Sequence, residues 1–371
     1  MKYSNMIVGA CAAAALTTSA DAVTLKSSPL TLRASNGQWA HIFPAVKLWK
    51  QLRMDRHPPG TAHPPGTVRP PGTNGPSYLI YNGGPVMTSY LNFYIIFWVP
   101  STLQSGNATS MSAGYRQVVS DMVANYGGKG ISANNSQYYQ STGGRRPAYT
   151  FITGQGGLVD TAVATDPYPK VRGGCTDSYA TIGKNCFTDA QLQTEIQKVM
   201  SAKGWTGGMN KLFLVFTSSG EGSCFDATSA SCAYTQYCAY HSHITGKNGA
   251  PNVIYANEPF GNPATCQTDQ AGTPNAALDP NADAAASPAS HEMSEAITDP
   301  LGNAWWDSNS DTYSGEEIGD ICAYQYIFSY LDGGAANQLW GGRYFELQSE
   351  YDNSDDYCAL AGPAGFAVGP L

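Results

Sequence analysis

Residues 91–99 read LNFYIIFWV, a continuous apolar run that predicts a β-strand covered on both faces. Four other stretches have strand character: residues 78–82, 148–154, 211–217 and 252–257. Between them lie helical patterns at residues 108–126 and 188–203, the second starting at the cap Thr188. Strands that alternate with helices predict an α/β domain with a mainly parallel or mixed sheet, helices on its flanks and loops joined by disulfides.

A third helical pattern, residues 286–298, carries the main functional signal. Ser287 and Pro288 predict its start, and Pro300 predicts its end. The stretch SHEMSEAITDP at 290–300 begins like the zinc-protease helix H-E-x-x-H, but Glu295 stands where the second histidine belongs. Zinc accepts a carboxylate oxygen as well as an imidazole nitrogen, so the arrangement can still bind metal.

Helical geometry assigns a role to each of these side chains. His291 and Glu295 are four residues apart and share one face, where both would be metal ligands. Glu292 lies beside that face and would activate a water as general base. Asp299 continues the row and would orient a ligand from behind. The competing interpretation is an ordinary amphipathic helix with a His–Glu pair at its surface.

The third metal ligand has three candidates, Glu317, His241 and His243. Glu317 and Asp320 lie in the segment EIGD and resemble the glutamate ligand and supporting aspartate of gluzincin enzymes. Two carboxylates with a single imidazole favour a harder metal than zinc, whereas a histidine from the segment YCAYHSH restores nitrogen character. Spacing alone does not decide among the three.

Calcium is the competing metal. The run Asp307-x-Asn309-x-Asp311 resembles the first half of an EF-hand loop, although Thr312 replaces the glycine and Ile318 the final glutamate. The sequence therefore keeps zinc, calcium and a plain solvated acidic loop open here.

The N-terminus and the cysteines both predict secretion. Residues 1–22 combine Lys2, an apolar run and the small-residue end Ala20-Asp21-Ala22, which is the pattern of a cleavable signal peptide. The apolar run is too short to span a bilayer, and no later segment is long enough, so no integral membrane segment is expected. Eight of the nine cysteines lie beyond this peptide and predict about four disulfides.

A basic leader, residues 23–75, precedes the predicted catalytic-like domain, residues 76–371. It carries the unit [HR]-P-P-G-T three times at 57–73, which predicts a linker. The leader has a net charge of +6, and the domain a net charge of −14. It would be a pro-segment held over an acidic cleft, or a tail that contacts cell-wall polymer or membrane. The acidic domain excludes nucleic acid as a partner.

Several short blocks resemble the EXORDIUM or phosphate-induced protein family of plants. They include YLIYNGGPVMTSYLNFYIIFWVP at 78–100, CAYHS at 238–242, VIYANEP at 253–259, EAITDPLGNAWW at 295–306 and EIGDIC at 317–322. The resemblance implies an apoplastic protein linked to growth, with no settled catalytic activity. Microbial relatives carry an S-H-E-x-x-E-A-x-T-D-P helix, which residues 290–300 match.

Two functions follow as hypotheses. The first is a secreted metal-dependent hydrolase, a zincin-like peptidase that acts on protein or peptide substrates. The second is a non-catalytic extracellular protein of binding or signalling type, in which the same side chains hold a structural metal.

Overall fold

The structure is a computed structural model of the chain. It describes residues 30–34, 36–54, 79–144, 146–170, 174–178, 185–267, 279–307, 316–326, 329–331, 334–354 and 357–361. The predicted signal peptide, the HPPGT linker and residues Asn309 and Asp311 of the predicted calcium loop lie outside the described residues.

Short and long strands alternate with six helices. The strands are β1 Thr31–Arg33, β2 Trp39–Pro44, β3 Ile80–Tyr81, β4 Leu91–Trp98, β5 Tyr139–Ser141, β6 Tyr149–Phe151, β7 Gly156–Ala164, β8 Cys175–Thr176, β9 Asn185–Thr188, β10 Lys211–Thr217, β11 Gly222–Cys224, β12 Tyr237–Ile244, β13 Val253–Glu258, β14 Trp305–Trp306, β15 Ser329–Leu331, β16 Gly334–Ala336, β17 Gln338–Trp340, β18 Arg343–Phe345, β19 Glu350–Asp352 and β20 Tyr357–Ala359. The helices are α1 Val46–Met54, α2 Ala113–Tyr126, α3 Gly130–Asn134, α4 Asp189–Lys203, α5 Pro263–Cys266 and α6 Pro280–Thr298.

A seven-stranded mixed sheet in the order β1-β2-β12-β13-β10-β4-β7 forms the centre of the molecule. Its strands β13, β10, β4 and β7 are parallel, and β12, β2 and β1 extend it with antiparallel pairing. Strand β4 is buried on both faces as its sequence predicts, since Phe93, Ile95 and Phe97 enter one core and Tyr94, Ile96 and Trp98 the other. The α/β prediction is confirmed.

The helices cover both faces of this sheet. Buried residues of α2 and α6 belong to one core, and Leu192, Ile196 and Met200 of α4 belong to the other. Helix α4 starts as the sequence predicts, because Thr188 and Gln191 form a capping box. Helix α2 starts later than its sequence pattern, at the cap Ser112, whose side chain accepts from the Tyr115 N–H.

Two of the predicted strands lie outside the main sheet. Residues 78–82 yield only β3, which pairs with β14, and residues 148–154 yield only β6, which pairs with β5. All three residues of β6 are exposed, so the prediction of a strand covered on both faces is wrong there. Three strands that the sequence analysis did not predict, β2, β7 and β12, belong to the main sheet instead.

Helix α6 begins seven residues before the predicted cap, which makes the predicted start wrong. Asp279 caps the helix by accepting from the Asn281 N–H, and Pro280 occupies the first helical position, where a missing N–H costs nothing. Pro288 therefore lies inside the helix. The consequence for the site is a longer helix that is buried from Ala282 to Thr298 and packs against β12 and β13.

The leader contributes to the sheet. Strands β1 and β2 and helix α1 all come from residues 23–75, and β2 pairs with β12. Ala40, Ile42 and Phe43 are fully buried in the same core as Tyr240 of β12. The buried residues of β2 are thus part of this core.

Four disulfides join the loops, as the cysteine count predicts. The pairs are Cys175–Cys186, Cys224–Cys232, Cys238–Cys266 and Cys322–Cys358. Such bonds are typical of proteins from oxidising compartments. Among the described residues, no helix combines the length and the apolar character that crossing a membrane requires.

Candidate metal centre

Helix α6 brings three of the predicted residues into one buried group. His291 Nε2 lies 3.0 Å from Glu295 Oε1, one turn along the helix. Glu292 lies beside them, and all three side chains are 0 % exposed. A surface His–Glu pair is therefore the wrong interpretation of this pattern.

Strand β12 supplies the fourth side chain. His241 Nδ1 lies 3.1 Å from Glu292 Oε2 and 3.6 Å from Glu295 Oε2. The side chain of His241 is fully buried, and its Nε2 is 3.8 Å from Glu317 Oε2. Of the three candidates for a third ligand, the structure thus brings two, His241 and Glu317, to the group.

The structure does not bring His243 to this group. Its ring lies 5.7 Å from the Trp39 ring, measured between centroids, and the residue is half-buried. Among the described residues, no carboxylate of the group lies within ion-pair distance of His243. The proposed role of His243 as a ligand has no support in this geometry.

The turn around Asp320 supplies two further carboxylates. The backbone N–H of Glu317 donates to Asp320 Oδ2 at 2.8 Å, which holds the Asp320 carboxylate against the turn. Asp320 Oδ1 is 3.9 Å from His291 Nε2. Gly319 makes this approach possible, since a Cβ there would lie 2.4 Å from His291 Nδ1.

His41 of β2 completes the group and was missed by the sequence analysis. Its Nε2 lies 2.5 Å from Asp320 Oδ2, and its Nδ1 lies 3.2 Å from Glu317 Oε1. His41 stands opposite His241 in the pairing of β2 with β12. The apolar run WAHIFP was a strand signal, but its position in a basic leader separated it from the predicted domain.

We call these seven side chains the His–carboxylate cluster. Its members are His41, His241, His291, Glu292, Glu295, Glu317 and Asp320. None is more than 4 % exposed. The lysine and arginine ion pairs of the structure lie elsewhere, at Lys198–Glu195, Lys203–Asp160 and Arg343–Asp121.

Asp299 lies beside the cluster and has a different task from the one predicted. Its Oδ1 accepts from the N–H groups of Asn303 and Ala304 at 2.6 and 2.7 Å. These bonds fix the turn that follows α6 and do not orient a ligand. Burial raises the pKa of Asp299 to about 7.

The charges of the cluster are strongly coupled. Burial, reinforced by Glu295, raises the pKa of Glu292, and burial together with Asp299 raises the pKa of Glu317. Burial opposes ionisation of Glu295 too, but His291 and His41 outweigh it and lower its pKa. Burial lowers the pKa of His41, yet Asp320 and Glu295 prevail and raise it to about 9. Burial lowers the pKa of His241.

Several atoms of the cluster have no hydrogen-bond partner within the described part of the chain. They are His241 Nε2, His291 Nε2, both carboxylate oxygens of Glu295, Glu317 Oε2 and Asp320 Oδ1. An ionised group buried without a partner is expensive, so nearly all such groups in proteins are paired or bind metal. Ligands around one zinc ion, at bonds of about 2.0–2.2 Å, lie about 3–3.5 Å apart. Donor atoms lie within 4.8 Å of one another in two groups that share Glu295, namely His41–Glu295–Asp320 and His241–Glu292–Glu295, so the cluster offers a cation a place on either side of Glu295.

Gln348 controls the orientation of His291 and was also missed by the sequence analysis. Its amide nitrogen lies 2.8 Å from His291 Nδ1 and 3.0 Å from the Gly319 carbonyl oxygen. In this orientation the amide donates to Nδ1, which places the ring proton on Nε2. Metal binding through Nε2 requires the amide to turn, so that its oxygen accepts from Nδ1–H.

Comparison of the chain with family models, with curated proteins and with solved structures finds no match. The resemblance to the EXORDIUM family therefore stays a prediction from the quoted blocks.

Proposed function

We propose that this chain is a secreted metal-dependent hydrolase of the peptidase type, built on the helix that carries His291, Glu292 and Glu295. The observation that carries the proposal is the convergence of unpartnered imidazole and carboxylate atoms inside a fully buried cluster. A cation is the simplest partner for such a donor set, because protons alone would leave His241 Nε2, Glu317 Oε2 and Asp320 Oδ1 without a hydrogen bond among the described residues.

The proposed ligands follow from the distances. His291 Nε2 and Glu295 Oε1 form the helical pair, and His241 Nδ1 faces the other oxygen of Glu295. Glu317 Oε2 lies 3.8 Å from the other ring nitrogen of His241, Nε2, so Glu317 would hold the ring in place if Nδ1 binds the ion, or bind the ion itself if Nε2 does. Two or more imidazoles among the donors favour zinc over calcium, whose ligands are oxygen atoms. A bound zinc ion would supply Lewis acidity at the substrate carbonyl and a water of lowered pKa.

Glu292 is the proposed general base. Burial and Glu295 raise its pKa, which makes this carboxyl a better proton acceptor than an ordinary glutamate. Its Oε1 accepts from the Phe43 N–H at 3.0 Å, which fixes the carboxyl plane. The other oxygen, beside His241 Nδ1, would take the proton from water and pass it to the leaving amine.

Secretion belongs to the same proposal. The four disulfides and the N-terminal sequence pattern support it.

One specific observation favours the second candidate, a non-catalytic extracellular protein that holds a structural metal. A hydrolytic zinc site keeps an open position, whereas structural sites are closed. The cluster is closed by its neighbours, and both oxygens of Glu292 already have contacts. Contact with cell-wall polymer would fit this candidate.

Metal content and one substitution separate the two candidates. The purified chain is analysed for metal by mass spectrometry, and turnover of an unstructured protein is measured with Glu292→Gln and with the control Glu195→Gln. Glu195 is buried on α4, on the other face of the sheet. Because β2 covers the cluster, turnover is measured before and after residues 55–78 are cut by a site-specific protease.

The hydrolase proposal expects about one zinc per chain. Glu292→Gln should fold, retain the metal and lose about 10²–10⁴-fold in turnover, while Glu195→Gln keeps it. A chain that holds metal but cleaves nothing, and in which Glu292→Gln loses its fold, would establish the second candidate. A chain that never binds metal contradicts both.

A further inference from the structure

One hairpin of the chain covers the His–carboxylate cluster. The Phe43 ring packs on His291 at 4.6 Å between centroids, and the Trp39 ring meets His241 edge-on at 5.8 Å. His41 lies between them and contacts Glu317 and Asp320. All three residues belong to β2, so a single strand from the leader covers this side of the cluster.

Strand β2 lies where β12 would otherwise form the edge of the sheet. It pairs antiparallel with β12, with His41 opposite His241 and Phe43 opposite Ala239. On its far side only the short β1 follows. An exposed strand edge offers a row of N–H and C=O groups that an extended peptide can pair with.

The main chain of β2 also meets the proposed base. The Phe43 N–H donates to Glu292 Oε1 at 3.0 Å, so the peptide unit joining Ile42 and Phe43 lies directly beside the catalytic carboxyl. A peptide to be cleaved has to place its own backbone there. This position cannot hold β2 and a substrate at the same time.

We propose that the edge of β12 is a binding groove for an extended polypeptide substrate, and that β2 is its intramolecular occupant. The inference rests on the proposed function and names its substrate class and its regulation. The groove reads an apolar or aromatic side chain at the place of Phe43, between His291 and Tyr324. A substrate binds after β2 leaves.

The net charge of the leader and the segment that joins it to the domain both fit an occupant that can leave the groove. Residues 23–75 carry a net +6 opposite a domain of −14. Lys47 and Lys50 of α1 are exposed, so they can attract the acidic domain at long range. The close contact with the carboxylates of the cluster is made by His41. The leader joins the domain through residues 55–78, whose Pro-Pro-Gly-Thr repeats lie outside the described residues.

The test places a site-specific protease sequence in the middle HPPGT unit, residues 63–67, of the otherwise complete chain. After cleavage, we expect residues before the cut to separate from the domain on size-exclusion chromatography in mild denaturant, and the domain to keep its circular dichroism and its metal. Turnover of an unstructured protein should rise about tenfold or more. A chelator should remove the metal faster than from the uncut chain.

A synthetic peptide covering residues 30–54 provides a readout that does not need catalysis. It should bind the separated domain, and the same peptide with Phe43→Ala should bind about tenfold more weakly or worse, since buried aromatic anchors dominate such interfaces. A scrambled peptide is the control. If the leader separates and the peptide rebinds but no substrate is cleaved, the groove stands and the proposed function fails.

Two substitutions in the uncut chain test whether β2 is a removable cover of the cluster or a permanent strand of the sheet. Ile42→Ala and Ile254→Ala each remove a fully buried isoleucine from a strand of the same sheet, but only Ile42 belongs to β2. We expect Ile42→Ala alone to raise turnover and metal exchange. Equal behaviour of the two variants, or collapse of the domain once the leader is gone, would overturn the inference and make β2 a permanent strand.

Discussion

The sheet holds one set of buried carboxylates on each face, and the two sets are treated differently. On the α4 face, Asp189 accepts from the hydroxyls of Tyr240 and Tyr255 and from the Gln193 amide, at 2.9, 2.5 and 2.7 Å. On the α6 face, Glu295 faces two imidazoles instead of neutral donors, with His291 Nε2 at 3.0 Å and His241 Nδ1 at 3.6 Å from its oxygens. Both side chains are almost completely buried.

Strand β12 serves both sets, because successive side chains of a strand point to opposite faces. Tyr240 turns toward Asp189, and His241 turns toward Glu292 and Glu295. Neutral hydroxyl donors suffice for a structural carboxylate, whose pKa burial still raises to about 6. Imidazole nitrogens and carboxylate oxygens that face one another beyond hydrogen-bond reach, such as His241 Nε2 and Glu317 Oε2 at 3.8 Å, indicate instead a place for a cation. By this comparison Asp189 stabilises the fold, whereas Glu295 has the surroundings expected of the proposed ligand.

The largest expected effect tests this distinction directly. Glu295→Gln removes a negative donor from the cluster, so metal affinity should fall by about a hundredfold or more, beyond the 10–100-fold that loss of a supporting hydrogen bond costs. Asp189→Asn should keep the metal and lose about 1–3 kcal/mol of unfolding free energy, because one buried donor is left unsatisfied. Isothermal titration with zinc and urea unfolding measure the two quantities.

The comparison fails if Glu295 turns out to be structural or Asp189 turns out to affect metal binding. If Glu295→Gln binds zinc as the parent does, the carboxylate is structural despite the two imidazoles that it faces. If Asp189→Asn loses metal, the two faces are coupled through β12.

Much of the fold could be predicted from the sequence, because an apolar run such as LNFYIIFWV is stable in an α/β domain as a strand buried on both faces. The positions of β2 and β12 were not, because WAHIFP and YCAYHSHI interrupt their apolar residues with histidines. Two of these histidines, His41 and His241, belong to the cluster. Functional residues break local patterns, which is why sequence patterns fail at the site.

Within the site, local spacing predicted only what one helix holds together. His291, Glu292 and Glu295 follow from helical periodicity. His41 reaches the cluster through strand pairing across about half the chain, and Gln348 reaches His291 from the C-terminal region. Such contacts depend on tertiary structure, and no spacing rule encodes them.

The pH dependence of stability should differ between metal-free and metal-loaded protein. The folded-state pKa values of Asp299, about 7, and His41, about 9, lie above the ordinary values of 3.8 and 6.5. Both groups therefore bind more protons when folded, and the stability that they contribute is lost as the pH rises through those pKa values. A cation replaces the protons, and its own binding strengthens with pH.

Thermal unfolding from pH 5 to pH 9 measures this effect. We expect the melting temperature of chelator-treated protein to fall in the upper part of that range, while that of zinc-loaded protein falls less or rises. Asp189 and Glu221, whose pKa values burial raises to about 6 and about 7, contribute equally to both forms, so the difference reports the cluster. The lowered pKa values of Glu295 and His241 act with opposite sign, below about pH 4.5 and below about pH 6.5, so the fall in melting temperature is expected above pH 6.5. Parallel curves would mean that no cation replaces these protons.

The smallest expected effect compares two histidines that are two residues apart on β12. His241 is fully buried within the cluster, whereas His243 is half-buried against Trp39. His243→Gln should leave zinc content unchanged and shift the unfolding free energy by less than about 0.5 kcal/mol, as is usual for substitutions away from a buried network. His241→Gln should weaken zinc binding about tenfold or more, because a ligand nitrogen is lost. If His243→Gln loses as much zinc as His241→Gln, then the end of β12 that carries His243 turns toward the metal when the ion binds. His243 would then be a ligand that the His–carboxylate cluster, as defined above, leaves out.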